Sequence, residues 1–544
     1  MLAHGRWSVG GLPLTPPVAE PASKGLSSAV LALASQPVFL ITLLSGFAFA
    51  VLGYHPYAED GGLYIAGIER LLDPNLFPHG TGFVLGHLRF SVFAPLLAGL
   101  VRLTRLDLPW VLLLTFLASL WATLYAAWML MERCTRSTAA RVGGVALLAC
   151  WISLPIAGTS LMLMDPYVTA RSISTPCALL LLVGVLDATD RSSVSEDPDL
   201  SDNEKQRKRR KGWVLAFVAL LVAAAVHPLM AAYAFASAIL LASARSRTRS
   251  MAIRNTGLLC GLAVVLAGVL QAIAPADPAE YVRVALTRYY WFPGEWHWYE
   301  QVGLGAPLLL IWLLRRGRKT AAWTSLADST LVLGCASAAV AVIFAHAGFG
   351  SHLVARLQPL RCFQMVYIVM ILLAGAVLGG QVLKTRAWRW MVLFASLGGL
   401  MFYVQRTVFP ASAHLELPGR EPRNGWVRAF VWAREHTDKD ALFALDADYI
   451  SEDGEDAQVF RALAQRSTLP DYSKDGGEAS ITPQLVPDWV LGQTAQTGLN
   501  TESDAARVAA LTPFGVNWMV LPQKAPTSFP CPYTNEAAKI CRLR

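Results

Sequence analysis

The chain has 544 residues, of which 54% are hydrophobic and only 15% are charged. An ordinary soluble domain carries roughly 25% charged residues, so the composition excludes a wholly soluble protein and indicates a chain that crosses the lipid bilayer several times. The net charge of +8 would suit nucleic acid. The basic residues, however, lie in short segments between apolar runs, as the positive-inside rule requires, so no nucleic-acid partner is expected.

Composition divides the chain into three parts. Residues 1–35 are rich in proline and glycine, and they lack a basic region that leads into an apolar core and a cleavage site, so we expect a cytoplasmic tail. Apolar runs near the ~20 residues needed to span a bilayer recur afterwards and predict a polytopic domain over 36–406. Residues 407–544 return to soluble composition and predict a separate C-terminal domain.

Eleven segments are predicted to span the membrane, and an odd number places the termini on opposite sides. Four basic clusters all fall on one side of the membrane, and the positive-inside rule makes that side cytoplasmic. These clusters are 205–211, 245–254, 315–319 and 384–389. The predicted spans are 36–53, 108–131, 142–163, 173–188, 213–226, 228–244, 256–274, 303–314, 327–346, 362–383 and 388–405.

This orientation makes the loop 54–107 and the C-terminal domain external. Residues 90–103 are apolar but short, contain Pro95 and end near two arginines, so we expect a helix that lies in the membrane interface. The run 213–244 must cross twice, and Pro228 places the turn at His227, since the residue before a proline disfavours helix.

Two adjacent acids open the external loop. Glu59 and Asp60 follow the first span and precede two glycines, which would let a substrate approach the backbone closely. The alternative is that both acids cap the helix that follows, because carboxylates are favoured at helix starts. Asp165 precedes a proline at the end of a predicted span, and it either belongs to the same site or turns the chain.

Basic residues on the same side suggest an anion. Three arginines lie at the apolar boundary: Arg171, Arg356 and Arg361. A guanidinium at this place can bind a phosphate through two hydrogen bonds. The alternative is that these side chains extend from helix ends into the aqueous interface. His227 either contacts phosphate or moves a proton, or it only occupies the turn. No histidine or cysteine spacing matches a metal site, so no cofactor is expected, while a divalent ion stays open.

The C-terminal domain has short alternating elements. Helices are predicted over 426–436 and 503–511, and strands over 441–445 and 516–521, which indicates a small α/β domain. Cys531 and Cys541 would lie in an oxidising compartment, where we expect them to form a disulfide.

A family resemblance emerges from these positions. The segment EDGGLY at 59–64 is similar to the acidic pair that begins the first loop of protein mannosyltransferases, and with Asp165 and an external C-terminal domain it resembles the GT-C membrane glycosyltransferases. The chain resembles more closely a group of bacterial multi-pass membrane proteins related to that superfamily. The segments that carry this resemblance are DPYVTARSISTP (165–176), HPLMA (227–231), RLQPLRCFQMVY (356–367) and WVRAFVWAREHTDKDALFAL (426–445).

The resemblance implies a mainly α, GT-C type membrane fold and an inverting glycosyltransferase. It also implies a bacterial inner-membrane protein whose C-terminal domain lies in the periplasm. Such an enzyme moves a sugar from a polyprenyl-phosphate carrier to an acceptor at the external face, with a carboxylate as general base. Asp60 is the first candidate for the base and Glu59 the second, with Asp165 beside them. The resemblance identifies neither the sugar nor the acceptor.

Two other functions stay open. A transporter or flippase should show internal repeats and ionisable or broken helices at mid-membrane, and the sequence shows neither. A non-catalytic scaffold with the same fold is the other alternative, because a capped helix would explain the two acids without chemistry.

Overall fold

The computed structural model describes residues 36–190, 202–316 and 319–543. The predicted tail 1–35 lies outside this described part. All contacts discussed below lie within residues 41–544, which form one compact unit. The boundary predicted between residues 406 and 407, and the sides that the two parts face, stay predictions.

Long apolar helices dominate the described residues, which confirms the prediction of a mainly α membrane protein. Six are long and apolar enough to cross a bilayer: Leu108–Cys134, Ala170–Ala188, Arg249–Ile273, Ala321–Phe344, Leu353–Leu383 and Ala387–Val408. Shorter apolar helices occupy Pro37–Leu52, Thr138–Cys150, Pro228–Ala244 and Trp298–Leu314. The predicted span 213–226 forms the second half of the helix Asp202–Val226. The number eleven stays a prediction.

The predicted span 142–163 is wrong in its second half. The helix Thr138–Cys150 ends there, and the chain forms a hairpin of β1 (Pro155–Ile156) and β2 (Leu161–Met162) instead. Pro155 supplies the physical reason, because proline lacks an N–H and disfavours helix in the residue before it. Gly158 turns the hairpin with φ +67°, a conformation that glycine adopts without strain.

The first loop is helical, with helices at Glu59–Leu72, Thr81–Leu85 and Phe93–Thr104. The last of these lies at 98° to the segment before it. It buries Phe93 and Leu97 on one face and exposes Leu96 and Leu103 on the other. An apolar exposed face is what a helix in the membrane interface needs.

The break predicted at His227 is confirmed. His227 has non-helical backbone angles, and Pro228 begins the next helix. The carbonyls of Ala225 and Val226 therefore have no helical partner, and they accept hydrogen bonds from the first loop instead. Val92 N donates to Ala225 O at 3.0 Å, and the Ser91 hydroxyl donates to Val226 O. The broken helix thus anchors the interface helix.

The C-terminal part contains the predicted α/β domain. Its sheet has the order β4 (Ser467–Thr468), β3 (Leu442–Ala444), β5 (Trp518–Pro522), β7 (Ala538–Arg542) and β6 (Tyr533–Thr534). The pairs β3–β4 and β3–β5 are parallel, while β7 pairs antiparallel with β5 and β6. The helices are Gly425–His436, Phe460–Ala464, Lys474–Ile481, Val486–Gln496 and Asp504–Leu511. Cys531 and Cys541 form the predicted disulfide.

This domain contacts the first loop through backbone hydrogen bonds. Glu59 N donates to Ala457 O at 2.7 Å, and Val459 N donates to Tyr57 O at 3.0 Å. The short helix Phe460–Ala464 packs against the helix Glu59–Leu72. The two acids of the first loop are therefore positioned by the C-terminal domain as well as by the membrane helices.

Glycines allow two membrane helices to approach closely. A methyl group on Gly143 would overlap the backbone oxygen of Gly375. A methyl group on Gly399, in the helix Ala387–Val408, would have no other group within 4 Å. These two glycines form a matched pair, because only the first lies where helix backbones touch.

We expect Gly143→Ala to lower the free energy of unfolding by more than about 1 kcal/mol, since the methyl group must push two backbones apart. Gly399→Ala should be neutral or stabilising by up to about 1 kcal/mol, because alanine favours helix over glycine. Thermal unfolding in detergent micelles measures both. Equal melting temperatures for the two variants would contradict close helix packing at Gly143.

Candidate functional site

A cavity of about 1570 Å³ lies where the first loop, the hairpin, the break at His227 and the C-terminal domain meet. Six of the seven side chains proposed from the sequence line it, and Arg171 lies directly behind its wall, in contact with two of them. The six are Glu59, Asp60, Asp165, His227, Arg356 and Arg361. Their roles stay predictions, but the fold brings them to one place.

Glu59 and Asp60 do not cap their helix. The N-cap residue is Ala58, and no side chain makes a capping hydrogen bond there, so the capping alternative is wrong. Both acids lie in the first turn instead, where the helix dipole favours negative charge. Glu59 has φ +52°, a strained conformation for a residue with a side chain, which the hydrogen bond to Ala457 O holds in place.

Lys474 is the partner of both acids. Its Nζ contacts a carboxylate oxygen of Glu59 and donates to Asp60 Oδ1 at 3.3 Å. Its side chain is 13% exposed and lines the cavity from the first turn of the helix Lys474–Ile481. Sequence reasoning missed this residue, because a single lysine 414 positions away from Asp60 leaves no local pattern.

Arg288 fixes the backbone that carries Lys474. Its guanidinium donates to Ser473 O at 2.7 Å and to Tyr472 O at 2.9 Å. Arg288 is itself buried, and it lies between the helices Arg249–Ile273 and Trp298–Leu314. The backbone just before Lys474 is therefore held by these two hydrogen bonds.

Arg171 bridges the two aspartates. Its Nη2 lies 2.7 Å from Asp165 Oδ2 and 3.7 Å from Asp60 Oδ2. Its Nη1 is buried and has no hydrogen-bond acceptor among the described residues. Positive and negative groups consequently alternate through the site, in the order Lys474, Asp60, Arg171 and Asp165.

The two aspartates have opposite electrostatic environments. Partial burial raises the pKa of Asp60. The positive charges of Lys474 and Arg171 have the larger combined effect, with a weaker contribution from Arg361, and they lower this pKa from 3.8 to about 2. Burial raises the pKa of Asp165 to about 6 against the opposing effect of Arg171. The side chain of Asp60 is 42% exposed, towards the cavity, whereas that of Asp165 is 6% exposed. Asp60 is thus the more accessible of the two carboxylates, and it stays ionised to lower pH than Asp165.

Arginines supply unused positive charge on the cavity wall. The side chain of Arg361 has no hydrogen-bond acceptor or ion-pair partner within the described ranges, and its Nε is buried. The guanidinium of Arg356 lies 5.9 Å from the centre of the Tyr281 ring. His227 accepts a hydrogen bond from Met230 N at 3.5 Å, so it caps its helix as the turn alternative expects. Its phosphate contact stays a prediction.

One wall of the cavity is apolar. It includes Phe90, Val226, Leu229 and Leu357, which come from the interface helix region, the helix break and the segment before Arg361. Phe90 and Leu357 are also exposed on the protein surface. The cavity therefore joins a charged region to a surface on which hydrocarbon could lie.

No group of three or more His, Cys, Asp or Glu side chains in the described part is placed to hold a metal ion. Metal dependence stays open, as the sequence left it. Lys474 and Arg171 provide the positive charge next to Asp60.

Comparisons with known proteins give structural similarities only. No family model matches the sequence, and no curated protein matches it. The structure is similar to that of the archaeal oligosaccharyltransferase AglB from Archaeoglobus fulgidus in complex with an inhibitory peptide and a dolichol-phosphate. The TM-score is 0.44 at 12% identity, over 90% of this chain and 69% of that one.

A second similar structure is the arabinofuranosyltransferase AftD from Mycobacteria, with a TM-score of 0.43 at 13% identity. The match covers 95% of this chain and 42% of AftD, so this chain spans less than half the length of that protein. Similarities of this size carry no functional conclusion, and the function is inferred from the cavity itself.

The environment of Asp165 predicts a pH dependence of stability. Its pKa is raised from 3.8 to about 6, so the folded state holds a proton that the unfolded state loses in that interval. The stability of the wild type relative to Asp165→Asn should fall by up to about 3 kcal/mol between pH 4 and pH 6, and then stay level. Thermal unfolding between pH 4 and pH 8 measures this difference.

Asp60→Asn provides the contrasting variant. The pKa of Asp60 is lowered from 3.8, so its stabilising contribution exists above that value and is lost as the pH falls below it. A stability advantage of the wild type over Asp165→Asn that grows as the pH rises from 4 to 6 would contradict a raised pKa of Asp165.

Proposed function

We propose that this chain is an inverting glycosyltransferase that moves a sugar from a polyprenyl-phosphate carrier to an acceptor hydroxyl at the external membrane face. One observation carries the proposal: an ionised, accessible carboxylate, Asp60, lies in the same cavity as the unpaired guanidinium of Arg361. A base and a phosphate-binding cation in one cavity are what the transfer requires.

Asp60 acts as the general base in this proposal. The acceptor hydroxyl gives its proton to Asp60, and its oxygen forms a bond to the anomeric carbon of the sugar. The bond between that carbon and the phosphate oxygen breaks on the opposite face, and the phosphate leaves with the electron pair. Attack on the face opposite the leaving group inverts the anomeric configuration.

Arginines bind the phosphate in this proposal. Arg361 makes the direct contact, since its buried Nε has no hydrogen-bond acceptor among the described residues. Arg171 adds charge through its buried and unpaired Nη1. Asp165 is a positioning residue, because its 2.7 Å contact holds Arg171 in place. Developing charge on a leaving phosphate is stabilised by such fixed cations.

The apolar wall supports a lipid carrier. Phe90, Val226 and Leu229 lie in the same cavity as the arginines, and a polyprenyl chain needs a hydrocarbon surface next to its phosphate. The scaffold alternative stays open, because the helix dipole favours both acids in the first turn without any chemistry.

Asp60→Asn should reduce sugar transfer by at least about 100-fold, because the amide accepts no proton from the acceptor. The measurement is transfer of radiolabelled sugar in membranes that overexpress the protein, supplied with a panel of polyprenyl-phosphate sugars. Asp453→Asn is the matched control, since Asp453 lines the same cavity without an ion pair among the described residues. It should transfer sugar at close to the wild-type rate.

Equal transfer by Asp60→Asn and wild type, at equal protein level, would remove Asp60 from the mechanism. Transfer that falls equally in both variants would mean that the cavity responds to loss of any acid, rather than to loss of a base. No transfer by the wild type with any donor of the panel would overturn the proposed donor class.

Arg361→Gln should raise the KM for the donor at least about tenfold, because a charge-assisted contact to phosphate is lost. Arg361→Lys should recover part of the loss, since lysine keeps the charge but not the bidentate geometry. Steady-state kinetics with varied donor concentration measures both variants. An unchanged KM in Arg361→Gln would show that phosphate binds elsewhere.

A further inference from the structure

Lys474 occupies an unusual position for a lysine. Its ammonium group lies on the cavity wall between two carboxylates, and its side chain is 13% exposed. An ammonium group has three N–H donors. Glu59 and Asp60 are its two acceptors among the described residues, which leaves one donor unused in that set.

The arrangement of Lys474 and Arg171 around Asp60 is poorly suited to proton transfer. With Lys474 and Arg171 beside it, Asp60 has a pKa of about 2, far below the pH at which a general base is most effective. A base in this state needs to lose part of its positive surroundings before it accepts a proton. The two cations differ in this respect, because Arg171 is held by Asp165 at 2.7 Å, whereas Lys474 is held only by the carboxylates themselves.

A phosphate group competes for the same ammonium. Phosphate oxygens are strong acceptors of charge-assisted hydrogen bonds, and lysine binds them as a compact charge on a flexible stem. The backbone before Lys474 is fixed by Arg288, so a change of side-chain rotamer is enough to exchange its partners.

We propose that Lys474 is a second phosphate-binding residue, which pairs with Glu59 and Asp60 before the donor binds and transfers to the donor phosphate when it does. This inference rests on the proposed function and deepens it. The exchange leaves Asp60 with less positive charge and with a phosphate nearby, so donor binding itself makes the carboxylate a stronger base. The acceptor would then meet a base only after the donor is in place.

The test is binding of phosphate to the purified full chain in lipid nanodiscs, with undecaprenyl phosphate and inorganic phosphate as separate probes. The variants are Lys474→Met, Lys474→Arg, Glu59→Gln and Asp60→Asn. Lys439→Met is the matched control, because Lys439 also joins the C-terminal domain to a first-loop carboxylate, Asp73, at 2.7 Å, away from the cavity.

Lys474→Met should weaken binding at least about tenfold, and Lys474→Arg should recover most of it, because the charge is retained. Asp60→Asn and Glu59→Gln should tighten binding, since each removes a competitor for the ammonium. Lys439→Met should bind like the wild type. A purely structural role of Lys474 would make the acid variants bind more weakly, or leave binding unchanged.

Two results would overturn the inference: wild-type affinity in Lys474→Met, or binding in Asp60→Asn that is unchanged or weaker. If Lys474→Met does not fold, the two acid variants decide the question, because they leave Lys474 in place. Inorganic phosphate binding that depends on Lys474, without binding of undecaprenyl phosphate, would support the phosphate site and overturn the lipid donor. Binding of neither probe would overturn the inference, while the transfer assay tests the proposed function separately.

Discussion

The contact of Lys474 with the adjacent carboxylates of Glu59 and Asp60 is the interaction on which the rest of the site depends. It joins the C-terminal domain to the first loop and neutralises part of a carboxylate pair that would otherwise repel itself. It also keeps Asp60 ionised towards the cavity. Without the C-terminal domain, Arg171 would be the nearest cation to these acids, at 3.7 Å from Asp60.

The two aspartates of the cavity have different surroundings. Asp60 is accessible, and cations hold its pKa low, whereas Asp165 is buried and its pKa is raised. Arg171 lies between them and binds the buried carboxylate more closely. A pair of carboxyl groups whose pKa values move apart is a common arrangement for dividing chemical and positioning roles. The proposed function follows this division, with Asp60 as the base and Asp165 as the residue that positions Arg171.

Interruptions of helices, rather than helices themselves, build the cavity. The helix that ends at Cys150 gives way to the hairpin around Gly158, and the break at His227 supplies both a polar side chain and part of the apolar wall. Irregular backbone at the membrane edge is tolerated where it lines a cavity or finds other hydrogen-bond partners. The carbonyls of Ala225 and Val226 meet that requirement through the first loop.

The sequence by itself determined the mainly helical membrane architecture, the break at Pro228, the small α/β domain and the Cys531–Cys541 disulfide, because apolar runs, proline and cysteine act locally or by composition. It also indicated the seven side chains that the fold gathers at one cavity. Only the tertiary structure decided the end of the helix at Cys150, the absence of capping by the two acids, and the partnership of Lys474 with Asp60. Such contacts join residues hundreds of positions apart, and their geometry depends on how whole elements pack, so no local pattern encodes them.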